Sequence, residues 1–456
     1  MPDKRERVNG MKGIKRLVAN GLFLAAMVAV IGTVGLCAPV KKTKIVWWTH
    51  QRHDMDYMQQ KVAEFNKTNS YGIEIDYVIQ TENYSQNLEL AFQSGQAPDI
   101  FSALENAKYY VDRNMAAPLD KYLTADIKGR YSKFLSVDTE NTVGGKIYSL
   151  PNSGVNFRLI YNKELFKKAN LPGPPKTVAE MVDYAKKITA VGKAQGAYGY
   201  AMNLKSPWSS MFRSIDQIAQ RSGVWPYDFK TGKYNFEPMR PIILAYKQMK
   251  DDGSMFPGVE NLDIDPMRSQ FAEGKIGMYI SGNWEPGVYT QQFPAKIDWD
   301  AVPVPTIDAT AKGKSWIRAG RWQFISSRSK NQKLAWRVFE WFHRDAVLVP
   351  YHEKGYGYSV VPSVVKTAKD PEIKGAERFK IDEAVEAFWP ASPHEQGLRV
   401  EGKPMHDIYA GVILGAISMD DAIRDLNKRY NESLDKAEKS GLLKRRIIKN
   451  FNPAKL

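Results

Sequence analysis

The sequence is poor in cysteine and histidine: Cys37 stands alone and there are six histidines in 456 residues. Exported proteins that rely on disulfides carry cysteines in pairs, so a disulfide framework is excluded. There is no Gly-x-Ser-x-Gly, no His-Glu-x-x-His, no metal-spaced His/Cys cluster and no P-loop. The local signatures of serine hydrolases, zinc hydrolases and nucleotide-driven enzymes are therefore missing. His50 and His53 stand three apart without an evident carboxylate partner, so no metal is expected, and no cofactor motif appears. Internal repeats, low-complexity tracts and Gly/Ser linkers are also lacking. Outside the N-terminus, no apolar run reaches the ~18 residues that a membrane-spanning helix needs.

The N-terminus explains the lone cysteine. Lys12, Lys15 and Arg16 precede the apolar run Leu22–Ile31, and Gly-Thr-Val-Gly-Leu-Cys37 follows. A basic segment, a short apolar core and small residues at its end define a secretory signal over residues 1–36. Cys37 at the end of that core resembles the acylated cysteine of bacterial lipoproteins, although Leu36 stands where that pattern has Gly, Ala or Ser. Ordinary cleavage and an uncleaved anchor are the competing readings. Met11 is an alternative start, because a tidy basic segment begins there.

About 420 residues follow the signal, more than one core usually supports, so two lobes are expected. The net charge is +15, and residues 1–36 contribute six Lys/Arg and two Asp/Glu, leaving +11. The basic residues are dispersed, so a solvated basic surface is favoured over a nucleic-acid partner. Aromatics are plentiful, with 11 Trp and 23 Tyr.

Lys44-Ile-Val-Trp-Trp-Thr49 suits a buried strand. Met55, Met58, Val62 and Phe65 then mark one helix face, and Ile73, Ile75, Tyr77 and Ile79 alternate as in a strand. Another short strand begins at Ile100, and this order predicts a parallel α/β sheet. Phe157–Tyr161 is a further strand. Thr177 and Glu180 form a capping box for a helix with Val178, Met181, Ala185 and Ile188 on its buried stripe. Ala301-Val-Pro-Val-Pro305 is too proline-rich for a central strand and is expected to be a crossover. Leu334, Val338 and Phe342 mark a helix, and Ser418 with Asp421 caps the last one.

Five stretches carry a family resemblance. They are Lys44–Thr49, Gly95-Gln-Ala-Pro-Asp-Ile100, Gly145-Lys-Ile-Tyr-Ser-Leu-Pro151, Ile160–Glu180, and Phe271-Ala-Glu-Gly-Lys-Ile-Gly-Met-Tyr-Ile-Ser-Gly-Asn-Trp284. In this order they resemble the family 1 extracellular solute-binding proteins of ABC importers, the maltodextrin-binding-like sugar-binding proteins. The resemblance implies a type II periplasmic-binding-protein fold. This is a two-lobed α/β architecture, each lobe a mostly parallel sheet flanked by helices, with the ligand in the cleft between them. Lobe 1 would be 43–150 plus 306–348, and lobe 2 would be 151–305 plus 349–456. Leu150-Pro151 and Pro303–Pro305 would be hinges, since proline fixes φ and discourages pairing.

A sugar presents hydroxyls that need hydrogen-bond partners and C–H faces that lie against aromatic rings. Trp284, in a turn after a strand, matches the family's stacking aromatic, and Trp208 matches another aromatic position of the second lobe. Trp225 is a loop tryptophan in the same region. Arg321 and Trp322 lie in the returning first-lobe segment that faces the cleft. His50 leaves the first strand at its C-terminal end, where parallel sheets place ligands. Glu105 matches a hydroxyl-binding acid, whereas Asp99 is expected to cap its loop. Asn156 and Tyr358 could reach the ligand from the crossovers. Arg52, Arg158, Arg318 and Arg321 admit an acidic oligosaccharide as ligand.

The implied function is an extracytoplasmic substrate-binding subunit without enzymatic activity. It would capture a sugar or oligosaccharide by hinge closure and pass it to a membrane permease driven by a separate ATPase. The implied protein is a monomer in the periplasm or on the outer face of the cytoplasmic membrane, touching lipid only through an anchor at Cys37. The rival classes are an exported carbohydrate-active enzyme, which would need two carboxylates about 5–10 Å apart, and a binder of a non-sugar solute with the same fold.

Overall fold

The computed structural model describes residues 42–80, 82–131, 135, 137, 139–320 and 323–456. The signal segment and Cys37 lie outside the described residues. Two four-stranded sheets organise the chain. In chain order their strands are β1 (Thr43–Thr49), β2 (Ile73–Ile79), β3 (Ile100–Ser102), β4 (Phe157–Asn162), β5 (Tyr198–Tyr200), β6 (Ile276–Gly282), β7 (Trp299–Pro303) and β8 (Gln323–Ile325).

The first sheet has the order β8-β3-β1-β2, and the second β7-β4-β6-β5. β1 pairs in parallel with β2 and β3, while β8 runs antiparallel to β3. In the second sheet β6 is parallel to β5, and β4 is antiparallel to both β6 and β7. Three strands of each sheet thus run one way. The reversed fourth, β8 or β4, is the strand that enters from the other lobe.

Local sequence dictates these elements. Val178–Gly192 is a helix whose N-terminus carries the full Thr177/Glu180 capping box, satisfying two otherwise orphaned backbone donors. Its stripe of Val178, Met181, Ala185 and Ile188 is buried against the second sheet. Gly199 of β5 lies so close that an added methyl group would strike the backbone of Ala185. Ser418 caps the helix Met419–Lys439 by accepting a hydrogen bond from the Asp421 amide. Trp47 is buried beneath β1 while Trp48 is only partly covered, as alternation along a strand requires. Asp99 locks its loop, accepting from the Val46 amide at 3.0 Å.

One expectation is corrected here. Ala301–Pro303 is part of β7, not a crossover. β7 is an edge strand, so the proline's missing N–H costs no central ladder bond. The second lobe also runs on past Pro303–Pro305, since Val304 is buried in the second core and Ile307 and Trp316 pack against it. The chain crosses at Arg318–Gly320, which pairs antiparallel with Ser153–Val155 from the first crossing. A third connection joins them, with the Gly154 amide donating to Tyr358 O at 2.8 Å. Past residue 348, Tyr351, Val361 and Val364 still belong to the first core. Among the described residues no helix is long and apolar enough to cross a membrane.

Candidate ligand cleft

The carboxyl ends of β1 and β3 aim their following loops at the space between the lobes, as open α/β sheets do. Those loops bring His50, Gln51 and Leu104 to a cavity of about 420 Å³. Its floor is the paired crossings, with Ser153, Gly154 and Arg318. Its far wall is second-lobe: Trp208, Phe212, Arg213, Arg268 and Trp284.

Trp284 follows β6, which is buried along its whole length, so only the turn beyond it can present a ring. The indole folds back over Gly282, where any Cβ would collide with it. Its Nε1 donates to Glu285 Oε1 at 2.8 Å, and its ring meets Phe157 edge-on at 5.9 Å. Glu285 is fully buried and also accepts from Arg268 Nη2 at 2.7 Å and from Ser281 Oγ at 2.6 Å. Trp208 opens the helix Pro207–Arg213 and is 48% exposed. One helical turn on, Phe212 stacks flat beneath it at 5.4 Å. A large exposed indole held rigid on a second ring is a ready apolar platform.

A second cavity of about 660 Å³ shares Trp208, Phe212 and Arg318 with the first, so the two adjoin. It is lined by Glu105, Trp225, Trp316 and Glu395 among others. Both volumes fall in the range of small-molecule sites. The Arg318 guanidinium lies between the rings of Phe212 at 5.0 Å and Trp316 at 5.3 Å. Its Nε is 3.7 Å from Glu140 Oε1.

Of the sequence-predicted residues, Trp284, Trp208, Trp225, Glu105 and His50 line this double cavity. Arg321 and Trp322 lie outside the described residues. Asn156 and Tyr358 do not line it. Asn156 is fully buried and donates to Phe379 O at 3.0 Å and Glu386 Oε1 at 3.1 Å. Tyr358 sits in a second-lobe core cluster with its hydroxyl donating to Ala376 O. Residues beside a crossing face either the cleft or the packing behind it, and spacing did not separate the two. Arg158 is likewise committed to a buried ion pair with Glu386. Arg213, Phe212 and Trp316 were missed. The i, i+4 pair Trp208–Phe212 was the available signal for one of them.

Glu140 stands behind Arg318. Burial pushes its carboxyl up from the usual 4.5 to about 7, against the lowering pull of Arg318. Its Oε2 has no hydrogen-bond partner among the described residues. The folded state thus holds this proton more tightly than the unfolded chain does. The resulting stability is complete below pH 4.5 and is lost as pH rises through about 7. Glu140→Gln is therefore expected to match the parent near pH 5 and to exceed it at pH 8, by on the order of 1–3 kcal/mol. Urea midpoints at the two pH values check this; an equal difference at both would contradict it.

Residues 50–347 match the family model described as bacterial extracellular solute-binding protein, and the chain belongs to that family. Membership makes it an exported solute-binding protein. A binding protein of Brucella abortus (strain 2308) is 26% identical over 312 residues, covering 64% of this chain and 73% of that one. The galactooligosaccharide-binding protein of Bacillus subtilis (strain 168) is 25% identical over 349 residues, 74% of this chain and 76% of that one. Among solved structures, a solute-binding protein of an ABC transporter from Thermotoga lettingae TMO, bound with α-D-tagatose, superposes with a TM-score of 0.69. It is 22% identical and covers 86% of this chain and 100% of that one.

Proposed function

We propose that this protein captures a sugar or oligosaccharide between its lobes and hands it unaltered to the permease of an ABC importer. The observation that carries this reading is the pair Trp208 and Trp284, two indoles on one wall of a cavity otherwise rich in hydrogen-bonding groups. Stacking surfaces beside donors and acceptors suit the two faces of a sugar ring. The names of the Bacillus subtilis relative and of the Thermotoga ligand support the same class of solute.

In this reading Trp284, Trp208, Trp225, Glu105 and His50 contact the ligand, with Arg321 and Trp322 as further candidates. The protein acts as a monomeric binder and not as an enzyme. Residues 1–36 are removed and Cys37 carries a lipid that holds the protein at the membrane's outer face. The lobes divide at about 43–150 plus 317–368 and 151–316 plus 369–456, with Tyr358 reaching across from the third connection into a second-lobe core, a division supported by which core each segment packs in. They rotate about the paired crossings, and ligand favours the closed state because only there do both walls touch it.

A thermal-shift screen against mono- and oligosaccharides tests the reading. The cognate sugar at 100 times its Kd stabilises the fold by about 2.7 kcal/mol, compacts the protein in small-angle scattering and is recovered intact. A panel without any stabilising saccharide, or one converted to products, would refute it.

A further inference from the structure

The arginines of the first cavity differ in how they are neutralised. Arg268 is held by Glu285, with Nε–O distances of 3.1 and 3.0 Å, and by Asp265 at 3.0 Å. Arg52 faces Asp265 across the cleft at 3.6 Å, and Arg318 faces Glu140. Arg213 is different. Among the described residues no carboxylate lies within ion-pair distance of it. Its Nη2 donates to Ser209 Oγ at 2.6 Å, while Nη1, buried from solvent, has no acceptor. A buried charged donor left unmade is costly, so such a group calls for a partner.

We infer that the saccharide carries a carboxylate and that Arg213 holds it. This rests on the carbohydrate reading above and names the ligand's charge and the end that bears it. Arg213 lines the first cavity with its guanidinium over the Trp284 ring at 5.6 Å. Arg213 and Trp284 thus stand together on that wall, where one sugar residue can meet both. The planar fork of the guanidinium matches a carboxylate; a dianionic phosphate would leave charge in excess beside Glu285. Burial, reinforced by the nearby Arg268, lowers the Arg213 pKa to about 10, so the group is still a cation at neutral pH and gains from an incoming anion. Beyond Trp208 the second cavity carries charges of both signs, with Glu105 and Glu395 on its walls beside Lys108, Arg113 and Arg399. Such mixed walls donate to and accept from sugar hydroxyls. The groove thus fits an oligosaccharide with an acidic residue at the Trp284 end.

The test is calorimetry on the full chain with a panel of uronate-terminated oligosaccharides, their carboxyl-reduced counterparts and a sugar phosphate. The uronate form is expected to bind on the order of 10- to 100-fold tighter than its reduced counterpart. Arg213→Gln should erase that preference, so that the two forms bind alike, and Arg213→Lys should keep part of it. Equal binding of the two forms, a preference for the phosphate, or a preference that survives Arg213→Gln would overturn the inference and leave the carbohydrate reading intact. If no saccharide of any kind binds, both fall. The wild-type comparison stands even if a variant does not fold.

Discussion

Replacing Glu285 by alanine should cost about 3–5 kcal/mol of folding stability, the range for breaking a buried ion pair from one side. Glu285 is fully buried, and its two oxygens serve three donors: the Arg268 guanidinium, Ser281 Oγ and Trp284 Nε1. Removing the carboxylate strands Arg268 with only the partly exposed Asp265 and releases the indole from its one hydrogen bond. Glu285→Gln, which keeps the volume and an acceptor, should lose less. Urea denaturation of the two variants measures this. A loss below about 1 kcal/mol for the alanine variant would mean that the pair contributes little beyond its own desolvation.

The second large effect falls on affinity. Trp284→Ala and Trp208→Ala are each expected to weaken saccharide binding by about 2 kcal/mol, roughly 30-fold. The two should differ in their cost to the fold. Trp208 is half exposed and rests on Phe212, so its truncation spares the core, whereas Trp284 packs against Phe157 and Glu285. Calorimetric titration with the ligand found in the screen reads the affinities, and melting curves read the stability. Undiminished affinity in both variants would remove the aromatic platform from the mechanism.

Much of this was legible in the chain. The Thr177/Glu180 box, the Met58–Val62–Phe65 stripe and the alternation at Ile73 and Ile75 are local patterns with one physical solution each, and the structure adopts them. The placing of Trp284 beside the cavity was legible because it stands in a turn after a buried strand. Asn156 and Tyr358 were misplaced because their orientation depends on partners more than 200 residues away for one, Phe379 and Glu386, and 18 away for the other, Ala376. Pro303 was misjudged because proline forbids a central strand but tolerates an edge. Arg213 left no trace in the sequence. What distinguishes it is a missing acceptor, and an unmet donor is visible only once every neighbour has been placed.

The strand β8 has a consequence for how the chain is made. It closes one margin of a sheet whose other members come from residues 43–102, so β3 must wait for residues 323–325 to arrive. Until then the sheet has an open margin with unpaired amides and carbonyls, the state most prone to pairing with a neighbouring chain. The front half therefore cannot mature first while the rear half is still being threaded outward. The first sheet is completed only after every strand of the second has been made, which favours holding the leading end open over stepwise folding from it.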